Sequence, residues 1–121
     1  MKSRVSRMTI AVAASLLLLA AATAHAEWNK GLEAYKQKDW ATAVAEFEEV
    51  TKTNPDYAGG YYMLGVSQRA LGQLSPAISS LRKAVELDGS QASYKIALAQ
   101  AMLQAGQFQN AYQVLKPLSL S

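Results

Sequence analysis

From residue 28 onward the apolar residues of this chain recur mostly at three- and four-residue steps, the spacing that gathers side chains on one face of an α-helix. Ala77, Ile78, Leu81, Ala84 and Val85 form one such stripe, and Leu64, Ala70 and Leu71 belong to another. Local chemistry marks the breaks between stripes. Asp39 before Trp40, and Ser75 before Pro76, place a capping side chain ahead of an apolar run, and proline at a first helical position loses no needed donor. Gly72, Asn54-Pro55-Asp56 and Asp88-Gly89-Ser90 interrupt the pattern. These signals predict an all-α chain with helices at roughly 28–37, 41–53, 57–71, 76–87, 91–105 and 108–116.

The stripes themselves repeat. Gly31, Gly65 and Ala99 are 34 residues apart, as are Ala43, Ala77 and Ala111. The large positions keep the same step: Trp40, Leu74 and Phe108; Phe47, Leu81 and Leu115; Val50, Ala84 and Leu118. A fixed period of this size means stacked units that cannot bury their apolar faces alone. Small residues let helices approach closely, and Phe47, Leu81 and Leu115 fill the space between pairs, so a large side chain at Gly65 or Ala77 should overpack the stack. Two places look weak. Gly59-Gly60 opens the third helix with two poor helix formers, which predicts a loose joint, and Pro117 should end the sixth helix, leaving Leu118 and Leu120 without a polar cap.

The unit Ala58 to Gln91 resembles a tetratricopeptide repeat, with Tyr61, Leu64, Gly65, Gly72, Leu74, Ala77, Leu81 and Ala84 at that family's signature spacing. The first unit shares Gly31, Ala43, Phe47 and Pro55, but has Lys30 where the family prefers leucine and Lys38 where it prefers glycine. The third shows Leu98, Ala99, Gly106, Phe108, Ala111 and Leu115. The resemblance implies a right-handed solenoid of three helix-turn-helix units, about 27–57, 58–91 and 92–121, the last one short.

Ahead of the repeats lies a different kind of segment. Lys2, Arg4 and Arg7 precede an apolar run from Thr9 to Ala22, and Ala24-His25-Ala26 supplies small residues around a cleavage site. Residues 1–26 therefore read as a secretory signal peptide, removed after Ala26 to release 27–121 to the periplasm or beyond. Only if it were retained would the chain have a membrane anchor, and the run is shorter than the ~20 residues of a bilayer span. Three of the 12 basic residues and none of the 9 acidic ones lie in this leader, so residues 27–121 are formally neutral. The basic balance of the whole chain thus gives no support for nucleic-acid binding.

Candidate chemistry is sparse. The chain has no Cys, and its one His is His25 in the leader, which removes thiolate and imidazole ligands, nucleophile pairs and the commonest general base. Glu46, Glu48 and Glu49 share an outer helix, with Glu48 placed to pair with Lys52, and read as a solvated face. No glycine-rich phosphate loop, nucleophile elbow or calcium loop is present, so no enzyme, cofactor or metal site is expected.

What the resemblance implies instead is a concave groove, lined by the first helix of each unit, that holds a peptide or helix of a protein partner. Carried over position by position, its wall is Trp28, Leu32, Tyr35 and Lys36, then Tyr62, Val66 and Arg69, then Ile96, Gln100 and Leu103. Aromatics and arginine are common binding anchors, although Trp28, Tyr35 and Tyr62 serve equally well as packing between helices. Some family members grip a C-terminal carboxylate with lysine, asparagine and arginine. The corresponding positions here hold Trp28, Leu32, Met63, Ser93 and Ala97, which favours an apolar or aromatic-rich ligand. The expected function is an exported adaptor in an envelope complex; the alternative is a structural subunit that forms homo-oligomers through its uncapped last repeat. Intact-mass measurement of the protein purified from cells should show a chain beginning at Glu27; a mass that includes Met1 to Ala26 would overturn the cleavage site.

Overall fold

In the computed structural model, which describes residues 7–119, six helices follow one another: α1 (Arg7–Lys36), α2 (Trp40–Thr53), α3 (Ala58–Ala70), α4 (Leu74–Leu87), α5 (Ala92–Gln104) and α6 (Phe108–Ser119). Each packs on its chain neighbours, and α3 also touches α5, whereas the second helices α2, α4 and α6 have no comparable contact with one another among the described residues. The α3–α5 contact marks the inner side of an all-α solenoid, with the second helices on its outer side. Lys2 and Arg4 of the leader and Leu120 of the tail lie outside the described residues.

The small-over-large pairs set the helix spacing. A Cβ added at Gly31 would stand 2.7 Å from the Phe47 ring, and one at Gly65 would stand 2.5 Å from Leu81 Cγ. Phe47 and Leu81 are fully buried, each worth roughly 1.5–3 kcal/mol of apolar transfer. Two apolar clusters result. One gathers Ala34, Ala43, Val44, Phe47, Val50 and Leu64; the other joins Val66, Ile78 and Leu81 to residues of α5 and Ala111 of α6. Between α3 and α4 a buried polar pair is satisfied internally, with Ser80 Oγ donating to Gln68 Oε1 at 2.7 Å.

Helix ends repeat as strictly as the core. At the close of each first helix one residue turns to positive φ: Lys38 at 60°, Gly72 at 85° and Gly106 at 77°, spaced by the period of 34 residues. The hydrogen bonds match at all three. Lys38, Gly72 and Gly106 donate back to Tyr35, Arg69 and Leu103, while Asp39, Gln73 and Gln107 reach Ala34, Gln68 and Met102. This is the Schellman arrangement, which satisfies the helix's last carbonyls and requires a left-handed residue. Lys38 thus adopts a conformation that L side chains disfavour by roughly 1–2 kcal/mol.

Several boundaries differ from those the sequence predicts. Helix α1 starts at Arg7 rather than near residue 28, because residues 8–30 contain no glycine, proline or capping break and are rich in alanine and leucine, so leader and first repeat helix form one continuous helix. Among the described residues no helix is long and apolar enough to cross a membrane. Asp39 caps α2 as expected, its Oδ1 accepting from Thr42 N at 3.3 Å. Ser75 does not cap α4: Gln73 is the capping residue, without a side-chain bond, and Ser75 and Pro76 occupy the first turn, where proline still loses no needed donor. Pro117 does not stop α6, which continues to Ser119, so the hydrogen bond that proline cannot donate is lost only in the helix's last turn. Nor is the Gly59-Gly60 joint open. Gly60 is buried, and a Cβ there would press on Val50 at 3.2 Å, so the missing side chain lets α3 close on α2. On the outer face it is Glu49, not Glu48, that pairs with Lys52, at 2.7 Å between exposed side chains.

Two substitutions in this register move stability in opposite directions. Lys38→Gly should raise it by about 1 kcal/mol, by relieving the left-handed strain. Ala77→Trp, at a fully buried position, should lower it by about 3 kcal/mol or more, whereas Gln73→Ala should stay within about 0.5 kcal/mol. Urea unfolding checks all three, and equal midpoints for Ala77→Trp and Gln73→Ala would mean that the repeat register is misassigned.

Candidate functional site

The inner layer brings the predicted groove residues into two different environments. Around α1 they serve as packing. Trp28 is half-buried, its ring edge-on to both Phe47 (5.4 Å, 65°) and Tyr57 (5.4 Å, 61°). Leu32 packs on the same cluster, and Tyr35 meets Trp40 edge-on at 5.1 Å while leaning on both cores. Val66 is buried among Ile78, Leu81 and Ala97, because α5 closes over that face of α3; it belongs to the core and cannot present its side chain to a ligand.

On α3 and α5 the surface is open. Ile96, Gln100 and Leu103 are exposed along α5, and Arg69 is half-buried at the end of α3 with no ion-pair partner among the described residues. Tyr62 is half-buried and stacks on Tyr94 with ring centroids 4.8 Å apart and planes 28° from parallel. Tyr94 is the residue that sequence reasoning missed. It lies in the register of Gly60, a position used in the second unit for close helix approach, and the one signal for it is an aromatic standing where that unit has glycine. Its phenol is pushed above the ordinary tyrosine range, first by burial and then by the negative charge that Tyr57, Asp88 and Tyr62 can carry, so it remains neutral at physiological pH.

The electrostatics of this strip are simple. Lys36 and Arg69 sit in the last turns of α1 and α3, where a cation complements the carbonyl end of the helix, and the remaining wall residues carry no charge. The positions corresponding to a carboxylate grip offer none: Met63 is half-buried, Ala97 buried and Ser93 exposed. A separate hollow of about 410 Å³ lies beside Trp28, lined by Ala24, His25, Val50, Asn54 and Tyr57. Two of its walls come from the leader end of α1.

A family model for the tetratricopeptide repeat matches residues 29–92 and 62–116, which together span most of the chain. The chain belongs to the tetratricopeptide-repeat family. Over 63 residues, 52% of this chain, it is 38% identical to heat shock protein STI1 of Saccharomyces cerevisiae, and that stretch is 11% of STI1. Among solved structures it resembles the TPR2B domain of yeast Sti1 in its complex with pHsp70, with a TM-score of 0.74 and 27% identity over 77% of this chain and 74% of that one. MamA from Desulfovibrio magneticus RS-1 is similarly close, with a TM-score of 0.76 and 26% identity over 78% of this chain and 54% of that one. These tetratricopeptide relatives establish an all-α protein-interaction fold, and all three extend beyond the part this chain matches, STI1 and MamA by the most.

The Tyr62–Tyr94 stack is the joint between the second and third units on the inner face. A double-mutant cycle with Tyr62→Ala and Tyr94→Ala, followed by urea unfolding, should give a coupling of about 0.5–1.5 kcal/mol. Additive effects would show that the two rings do not stabilise one another.

Proposed function

We propose that this chain is an exported adaptor that holds an apolar, aromatic-rich segment of a protein partner against the inner face of α3 and α5, within a complex of the cell envelope. The observation that supports this most is the exposed strip of Ile96, Gln100 and Leu103 beside the stacked tyrosines and Arg69, on the inner layer of a fold that serves binding in its relatives. Tyr62 and Arg69 lie two helical turns apart on α3, so one ligand segment can touch both. Aromatic rings contribute contact area at low entropic cost, and the unpaired guanidinium offers one polar anchor for an acidic or carbonyl group. Trp28, Leu32 and Tyr35 pack between helices and are not assigned to the ligand in this reading. Export rests on the leader, whose removal after Ala26 delivers a neutral chain free of cysteine.

In the yeast Sti1 structure the related domain is in complex with pHsp70. The grip positions of this chain are occupied by Trp28, Leu32, Met63, Ser93 and Ala97, none of them cationic, so its ligand is bound chiefly through apolar contact.

Affinity capture from envelope extracts, followed by calorimetric titration with the identified segment, tests the reading. Arg69→Ala and Ile96→Ala should each weaken binding by about 1–3 kcal/mol, and Glu48→Ala on the outer helix should leave it within about 0.5 kcal/mol. Loss of affinity at Glu48 with none at Arg69 or Ile96 would move the binding surface to the outer layer.

A further inference from the structure

The two joints of the stack differ at one position. Between the second and third units, Tyr94 at the start of α5 stacks on Tyr62, and it lies close enough to Tyr57 and Asp88 that burial first, and then their negative charge, raises its phenol. One period of 34 residues earlier, Tyr62, Asp88 and Tyr94 become Trp28, Asn54 and Gly60. The joint between the first and second units thus keeps counterparts of the side chains around the ring but has glycine in place of the ring. Trp28 and Asn54 are there two of the walls of the hollow of about 410 Å³.

The other walls are set by the same glycine pair. A Cβ at Gly59 would stand 2.7 Å from Cζ and from the hydroxyl of Tyr57, so the missing side chain lets that ring lie back on the first turn of α3. From there Tyr57 meets Trp28 edge-on, with planes 61° apart, and the two rings form a corner with Val50 beside it. Phe47 also meets Trp28 edge-on, so among the described residues no ring stacks on Trp28 as Tyr94 does on Tyr62. The lining has no carboxylate and no permanent cation, and its size suits one aromatic side chain with the backbone that carries it. Four of the six walls, Trp28, Val50, Asn54 and Tyr57, belong to the repeats. Ala24 and His25 complete it from the leader end, so removal of the leader would widen the mouth and leave the corner of rings in place.

We propose that the hollow beside Trp28 binds one uncharged aromatic side chain of the partner's segment, which takes against Trp28 the place that Tyr94 takes against Tyr62. This rests on the reading of the inner face as the surface for an aromatic-rich segment, and it assigns that segment its anchoring residue. Tyr57 is within electrostatic reach of Tyr94, so the hollow adjoins the tyrosine stack and one segment can touch both. The walls are already held by Phe47 and by the contact of Tyr57 with Gly59, so an entering ring gains contact area without ordering them anew.

Titration of the isotope-labelled chain, in the form that cells accumulate and with its intact mass recorded, tests this with N-acetyl-phenylalanine amide as the probe. The chain has two tryptophans, Trp28 and Trp40, and their indole N–H signals in the nuclear magnetic resonance spectrum are the readout. The Trp28 signal should shift and saturate, and that of Trp40, identified by its loss in Trp40→Phe, should stay still. N-acetyl-leucine amide should bind about three- to tenfold more weakly, because it lacks the ring contacts. Tyr57→Ala should weaken the probe at least about fivefold with an unchanged circular dichroism spectrum, while Tyr57→Phe and Ile96→Ala should each bind it within about twofold of the parent. Equal shifts at both tryptophans, equal binding of the two amides, undiminished binding in Tyr57→Ala, or a response to tetramethylammonium in place of the aromatic amide, as a cation cage would give, would each overturn the proposal. Failure of the adaptor reading is read separately. A captured partner segment that depends on Arg69 and Ile96 but leaves the Trp28 indole unmoved overturns the hollow alone. Probe binding beside Trp28, with no effect of Arg69→Ala or Ile96→Ala on the partner, overturns the strip alone.

Discussion

The close approach of a first helix to the second helix of its own pair, made possible by a missing or minimal side chain, is the contact on which the rest of this structure depends. At Gly31 and Gly65 there is no room for a methyl group, because Phe47 and Leu81 already occupy that space from the facing helix. Each pair is thereby drawn together into a unit with little internal freedom. Its remaining apolar faces can then be satisfied only by the next unit, and a solenoid follows. In the third pair Ala99 replaces glycine opposite Leu115, which is half-buried rather than enclosed. The tightest contacts occur where units lie on both sides or where the large residue is aromatic.

The helix ends determine how that closeness becomes a repeating geometry. The left-handed residue at Lys38, Gly72 and Gly106 closes each first helix with the same pair of backbone bonds and turns the chain back on itself after the same number of residues. With the turn held constant, the second helix presents the same face each time. That is why Ala43, Ala77 and Ala111 are all buried, while their neighbours on the outer side remain in solvent. Lys38 departs from the glycine of the other two turns without changing the bonds, which shows that the backbone pattern, not the residue type, is what the fold requires. No disulfide assists, so packing and these caps carry the stability.

The exposed inner strip arises from the same economy of parts. The inner layer is narrow because α3 and α5 touch, and what remains exposed there is a short apolar strip beside one half-buried cation. On α6, Phe108 and Tyr112 are exposed as well. Neither surface offers a desolvated cluster of ionisable groups of the kind that acid–base chemistry uses.

Much of this was legible in the residues alone. The 34-residue period identified the pairs, their register and the residues that had to be small, because apolar periodicity and the intolerance of a tight helix contact are properties of the chain's own pattern. Helix boundaries were less secure: Ser75-Pro76 carries a start signal, yet α4 begins earlier because the Schellman turn at Gly72 had already positioned Gln73 as the cap. The groove was legible only in part. Trp28 and Tyr62 occupy the same register position, but Trp28 meets Phe47 and Tyr57 and becomes packing, whereas Tyr62 meets Tyr94 on the inner face. Val66 and Gln100 are likewise equivalent, and only the helix that follows Val66 buries it. The sequence by itself determined that the repeats are helical pairs, which residues must be small and which series each side chain belongs to. Only the tertiary structure decided which members of a series are covered, because burial depends on whether another helix lies beyond, and that is a property of a residue's place in the stack rather than of the residue.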